Sequence, residues 1–150
     1  MREHEALIRE AIELGACARR RGDHPFGALL AIDGRVLLRA ENSVVTGRDP
    51  TRHAELNLLQ LAWRELDASQ IASATLYAST EPCPMCTAAV HYSKVSRLVF
   101  SFSQAALSEL TGGRFGLPSS FLLERGNHRT MVVGPVLPEE GRSIHEGFWR

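Results

Sequence analysis

Between His53 and Cys83 the sequence carries two apolar segments of nearly equal reach, and that equality constrains the fold more than any other feature. The first, TRHAELNLLQLAWREL (51–66), repeats apolar residues at helical spacing and spans ~24 Å at about 1.5 Å per residue. The second, ATLYAST (74–80), has strand composition and returns ~20 Å at about 3.3 Å per residue. One element leads away and the next comes back, so the start of the helix and the end of the strand can lie side by side. At those two places stand His53-Ala54-Glu55 and Pro82-Cys83-Pro84-Met85-Cys86.

A C-x-x-C pair alone fits a redox couple, a structural metal clip or half of a reactive metal site. A redox dithiol needs no partner histidine. A closed structural zinc needs a fourth ligand, and only His91 stands near, because Cys17 falls in the first helix as a small buried apolar group. His53, Cys83 and Cys86 with one open position describe a catalytic zinc. Both donor groups open helices, where backbone N–H groups and the positive dipole end favour thiolate over thiol. Residues two apart share no face along a helix, but off the first turn Glu55 can reach the fourth position. Water held there ionises near pH ~7 on zinc, and a carboxylate beside it can pass its proton to a substrate nitrogen, worth ~10²–10⁴ in rate.

The remaining segments frame these two. Residues 3–20 read as a helix with Leu7, Ala11, Leu14 and Ala18 on one face, closed by Arg19, Arg20 and Arg21 as a cationic last turn facing water. FGALLAI and RVLLRAEN flank Asp33-Gly34, a hairpin signal. Asp49 followed by Pro50 reads as the N-cap of the second helix, with Leu56, Leu59, Ala62, Trp63 and Leu66 directed to a core. PMCTAAVHYS is a short helix, RLVFSF a strand and 104–110 a helix, whereas TGGRFGLPSS has loop chemistry. A strand around MVVGPVL and a helix over EEGRSIHEGFWR complete the chain. Strands alternating with helices predict a layered α/β sandwich around one central sheet.

With 150 residues, the expectation is one domain over 1–150. Three cysteines suit no disulfide framework, and the charged N-terminus MREHEALIRE is unlike a secretory leader, so a cytoplasmic setting is expected. No apolar run reaches the ~20 residues of a membrane span. Lys plus Arg and Asp plus Glu both number 17, a balance that counts against a polynucleotide substrate.

H-A-E, 26 intervening residues (56–81) and P-C-P-M-C form the H-x-E…P-C-x-x-C pattern of zinc-dependent nucleobase deaminases. The sequence resembles the cytidine/deoxycytidylate deaminase superfamily, in particular its guanine deaminase and tRNA-adenosine deaminase-like branch, over residues ~1–103. HPFGALLAIDGRVLLRAEN is similar to that branch's first hairpin, and ATLYASTEPCPMCTAAVHYSKVSRLVF to its second motif through the fourth strand. The resemblance implies a three-layer α/β/α sandwich with a central mixed five-stranded sheet, one Zn²⁺ per subunit, an oligomer that is usually a homodimer, and hydrolytic release of an exocyclic amine as ammonia. It implies His53, Cys83 and Cys86 as zinc ligands and Glu55 as proton shuttle. It also implies Asn42 on a ring carbonyl or ribose, Phe26 stacked on the base and the Ala54 backbone N–H on its polar edge. Glu55 separates the chain from catalytically silent subunits, which lose that residue.

The substrate expected from the resemblance is a small aminated heterocycle, foremost a purine base such as guanine. An aromatic after the second motif, Tyr92, is similar to guanine deaminases and joins the substrate-binding set. Their C-terminal tail, often swapped between subunits, closes the pocket with an aromatic, and Phe148 and Trp149 stand where that lid would be or simply dock the last helix. The acidic residue that reads guanine after the fourth strand has only Glu109 as a loose counterpart, which leaves a pterin or triazine open. A tRNA-specific adenosine deaminase is the alternative, although Arg125, Arg129, Arg142 and Arg150 are dispersed among acids as on a solvated surface. A cytosine or other pyrimidine deaminase is a further one.

Overall fold

The computed structural model describes residues 2–113 and 115–149; Arg150 lies outside them. Helix α1 (Arg2–Arg21) leads into hairpin β1 (Gly27–Ile32) and β2 (Arg35–Glu41), followed by α2 (Ala54–Glu65), α3 (Ala68–Ser73) and β3 (Thr75–Thr80). Then come α4 (Pro84–Ser93), β4 (Arg97–Phe102), α5 (Gln104–Thr111), α6 (Ser119–Leu123), β5 (Met131–Val133) and α7 (Pro138–Ser143). The sheet order is β2-β1-β3-β4-β5, antiparallel where β1 pairs with β2 and β3, and parallel from β3 through β4 to β5.

Alternation along the strands builds two cores. Leu29, Ala31, Tyr77 and Val99 face Ile8, Ala11 and Ile12 of α1 together with Val136 and Ile144. Ala28, Leu30, Leu76, Ala78, Leu98 and Phe100 face the other way, onto Leu58, Leu59, Ala62, Ile71, Val90 and Leu123. Side chains two apart share a face of the pleat, so the sheet becomes the middle of three layers. This is the mixed five-stranded α/β/α sandwich that the resemblance implied. No described helix is long and apolar enough to cross a membrane.

Asp33 (φ 49°) and Gly34 (φ 78°) both turn left-handed, as a two-residue hairpin requires. Gly27 has a different task. A Cβ there would lie 2.4 Å from the Ala11 carbonyl oxygen and 2.5 Å from the Gly15 nitrogen, so glycine lets α1 cross close over the start of β1.

Several boundaries differ from expectation. Helix α2 opens at Ala54 with His53 as N-cap, not at Asp49. The Asp49 side chain accepts from the backbone and hydroxyl of Thr51, closing a local turn, while Ser43 N–H donates to the Arg52 carbonyl and keeps that residue outside the helix. Helix α3 was not foreseen, although Asp67-x-x-Gln70 forms a reciprocal capping box there. Residues 119–123, expected as loop or undefined chain, form α6, and the last helix ends at Ser143, with turns over 144–148.

Arg20 and Arg21 of the arginine run are exposed as expected, whereas Arg19 is half-buried. Arg19 donates to the carbonyls of Ile144 and Glu146, and Arg21 to Asp23, Glu41 and the Asn42 carbonyl. Arg20 reaches Glu13 and the Cys17 sulfur at 3.0 Å, so Cys17 is a half-buried thiol between charged side chains rather than an apolar core group. The buried face of α1 is also turned toward Ile8 and Ile12, with Leu7 and Leu14 at its margin.

Candidate active site

The helix and strand predicted to lead out and return do so. The N-terminus of α2 comes beside the end of β3 and the N-terminus of α4. His53 and Cys83 are the N-cap residues of α2 and α4, yet neither side chain caps its helix, so both are available beyond the helix ends. Cys86, in the first turn of α4, completes the group, and the donor atoms of the three residues all lie within 4.8 Å of one another. His53 Nδ1 stands 3.5 Å from Cys83 Sγ. A tetrahedral zinc with a nitrogen at about 2.05 Å and a sulfur at about 2.3 Å separates them by about 3.6 Å, so this donor set fits the ion.

The alternatives for the cysteine pair fall on the same geometry. Both thiols are free. His91 is not in the cluster: it packs against Gly126, where an added Cβ would meet its ring at 2.3 Å, and stacks edge-on with Tyr92. Cys83 is shifted toward thiolate, first by a hydrogen bond from Cys86 and then by His53, and Cys86 is held as the thiol by the same bond and by burial.

Glu55, in the first turn of α2, is 5% exposed and lines the same cavity as His53 and Cys83. Burial, and then the neighbouring Cys83 charge, raise its carboxyl to about 7, where it can hold or release a proton near neutrality. The cavity encloses about 720 Å³. Phe26 from the β1 approach and Trp149 from the C-terminal tail, with ring centroids 6.0 Å apart, form an aromatic wall, and the exposed Phe115 adds a third ring to the lining.

Asn42 is 1% exposed at the end of β2, and its Oδ1 accepts from the backbone of His24 and Val44 while Nδ2 has no partner among the described residues. Asn42 is not among the residues that line the cavity; its leftover amide donor is buried near the end of β2. Ala54, wholly buried, is the first residue of α2, and its N–H is among those the helix itself cannot bond.

Two expectations do not hold. Tyr92 is 78% exposed and lines a groove with Trp63 and Leu59 between α2 and α4, away from the cavity. Six residues beyond Cys86 place it about 240° around the helix, on another face. Glu109 is exposed on α5 and lines a shallow surface depression instead.

Sequence reasoning missed Glu81, the residue just before Pro82 in the cysteine motif. Its buried carboxylate accepts from Gln104 N–H and from both the backbone and hydroxyl of Ser119, pinning the segment after β4 to the cavity rim. Gln104 lines the cavity beside it. The only signal of Glu81 in the sequence was proximity to the cysteines, and Gln104 carried none.

The fold and this site define a class: an α/β/α hydrolase scaffold with a His/Cys/Cys metal cluster, a buried carboxyl and an aromatic-walled cavity. The family model of the cytidine and deoxycytidylate deaminase zinc-binding region matches residues 1–102. The chain belongs to this family and is a zinc-dependent deaminase of a nucleobase or nucleoside. It is similar to a tRNA-specific adenosine deaminase of Bacillus subtilis (36% identical, covering 100% of this chain and 91% of the relative). It is also similar to a probable cytosine deaminase of Schizosaccharomyces pombe (35%, covering 96% and 91%). Among solved structures, the guanine deaminase of Bacillus subtilis superposes with TM-score 0.67 at 29% identity, covering 97% of this chain and 92% of that one.

Proposed function

We propose that this chain hydrolyses a free, aminated heterocyclic base of purine size, with guanine the first candidate, and that His53, Cys83 and Cys86 hold the zinc while Glu55 carries the proton. When bound, zinc supplies a water that ionises near neutral pH. Glu55 would take one proton from the attacking water and give it to the ring nitrogen, and would then move the second, from the new C–OH group, to the departing amine. The new C–O bond replaces the broken C–N bond, and ammonia leaves. The unpartnered Asn42 Nδ2 donates to the ring's carbonyl, the Ala54 N–H to its polar edge, and Phe26 packs on its face.

The observation that carries the substrate class is the cavity wall. Trp149, from the chain's own tail, lines the cavity beside Phe26, so the site offers aromatic surface to a small planar molecule. The balanced charge supports the same reading. A second reading, deamination of adenosine in tRNA, is favoured by the full-length similarity to the Bacillus subtilis relative. Ammonia release from guanine, other purines, cytosine, nucleosides, pterins and a tRNA anticodon stem-loop separates them. Turnover of a free base with none of the stem-loop is the expected result, and the reverse would replace this proposal.

The assembly belongs to the reading. The groove between α2 and α4, with Trp63 49% exposed and Tyr92 at its edge, is the surface on which a second copy would pack as a homodimer.

A further inference from the structure

One buried titratable side chain beside the cavity has no part in the chemistry above. His145 follows α7, is 0% exposed, and lies between the sheet and the C-terminal tail. One ring nitrogen, Nε2, is 2.8 Å from the Thr80 hydroxyl at the end of β3. The other, Nδ1, is 3.0 Å from the indole Nε1 of Trp149. An indole N–H only donates, so Nδ1 accepts. The imidazole proton then resides on Nε2, which donates to Thr80. Both nitrogens are engaged in one neutral tautomer, and an imidazolium would set two donors against each other.

The rings around it fix its plane. Phe102 stacks on the imidazole at 5.3 Å and 28°, Phe26 meets it edge-on at 5.2 Å, and Trp149 lies nearly parallel at 6.2 Å. Phe26 and Trp149 line the cavity together with the exposed Phe115, and His145 touches the first two while lining none of it. The tail behind it is anchored separately: Arg19 binds the carbonyls of Ile144 and Glu146 at 3.0 and 2.7 Å, and Phe148 N–H donates to the His145 carbonyl at 3.1 Å. The backbone of the tail is thus held on its own subunit by α1, while the indole packs on His24, Phe148 and Phe26 and gives its N–H to His145.

We infer that His145 is a positioning residue for substrate affinity: as the Nε2–H tautomer, it fixes Trp149 beside Phe26 in the wall of the base cavity. The inference rests on the reading of that cavity as the site of a free base. It assigns His145 no contact with the reacting atoms, so its loss is felt in binding before turnover. Without that acceptor the indole loses its bond to the imidazole and is less firmly held, and the wall loses a fixed aromatic plane beside Phe26.

Zinc-loaded enzyme carrying Trp63→Phe, which leaves Trp149 as the sole tryptophan, provides two readouts that need no substrate. Long-range ¹H–¹⁵N spectra are expected to show His145 protonated at Nε2 and bare at Nδ1 at neutral pH. Acrylamide quenching of Trp149 is expected to rise in His145→Leu and to return toward the parent value in His145→Asn, whose amide oxygen can replace the Nδ1 acceptor. With guanine, or whichever base the ammonia screen identifies, His145→Leu is expected to raise KM about tenfold with kcat within about threefold, a split that a misfolded site would not give. In a Trp149→Phe background the same change is expected to add nothing, because the two residues act as one.

Thr80→Val tests the same chain from the other end should His145→Leu not fold, and it is expected to raise quenching in the same direction. A proton on Nδ1, unchanged quenching in both variants, or additive KM effects in the double variant would overturn the inference. Failure of every free base as a substrate would overturn the proposed function instead, while the tautomer and quenching results would still decide the role of His145.

Discussion

Replacing Asp23 with asparagine removes one negative charge from a site with no solvent exposure, and the structure sets both the size and the pH dependence of the loss. The carboxylate accepts from the backbone N–H groups of Val45 and Thr46, from the Thr46 hydroxyl and from Arg21. Burial alone would raise its pKa, but the Thr46 and Arg21 hydrogen bonds overcome that and hold it at about 2 against an ordinary 3.8. At ~1.4 kcal/mol per pH unit, that difference is ~2 kcal/mol of stability at neutral pH. The folded pKa lies below the unfolded one, so the contribution is complete above pH 3.8 and fades as pH falls toward 2. An amide in place of the carboxylate keeps the shape but turns an N–H donor on partners that themselves donate. Urea unfolding of the zinc-loaded protein, followed by far-UV circular dichroism, should show Asp23→Asn less stable by at least ~2 kcal/mol at pH 7, a Tm fall of about 4–8 °C. The difference from wild type should shrink between pH 4 and pH 2; zinc loss at low pH affects both proteins and drops out of it. A difference independent of pH, or one below ~0.5 kcal/mol at pH 7, would refute the account of this carboxylate.

Other outcomes follow from single features. Cys83→Ala should lose zinc, measured by atomic absorption after dialysis, because two donors remain where three converged. Asn42→Asp keeps the acceptor for His24 and Val44 but puts a buried carboxylate oxygen where the unpartnered amide donor was, so it should cut kcat/KM by ~10–100-fold and also lower the unfolding midpoint in urea. Gly27→Ala should cost ~1–3 kcal/mol or more in urea unfolding, since the added methyl meets α1 backbone rather than a yielding side chain.

What the sequence made legible was local or paired by length. Asp33-Gly34 named its hairpin, and the apolar runs named the strands. The metal cluster was legible because a helix and a strand of similar reach have little freedom about where their ends meet. What stayed hidden depended on contacts far along the chain. Arg19 looked like a solvated cap because its partners, Ile144 and Glu146, lie more than a hundred residues away. His145 carried no motif, and its meaning comes from Thr80, 65 residues earlier, and from a tryptophan one turn later. The start of α2 was misplaced because Asp-Pro fits an N-cap and an isolated turn equally well, and only the Ser43 bond to Arg52 distinguishes them. Tyr92 was grouped through the resemblance to guanine deaminases, but helical phase sends it elsewhere.

The central claim is that Glu55 moves protons beside a metal held by other residues, and Glu55→Gln tests it most directly. Glutamine fills the same buried position but carries no titratable proton. The variant should retain about one zinc per chain and the wild-type unfolding midpoint, with ammonia release lowered ~10²–10⁴-fold or more on whichever base the wild type consumes. Turnover at the wild-type rate with zinc in place would contradict the account.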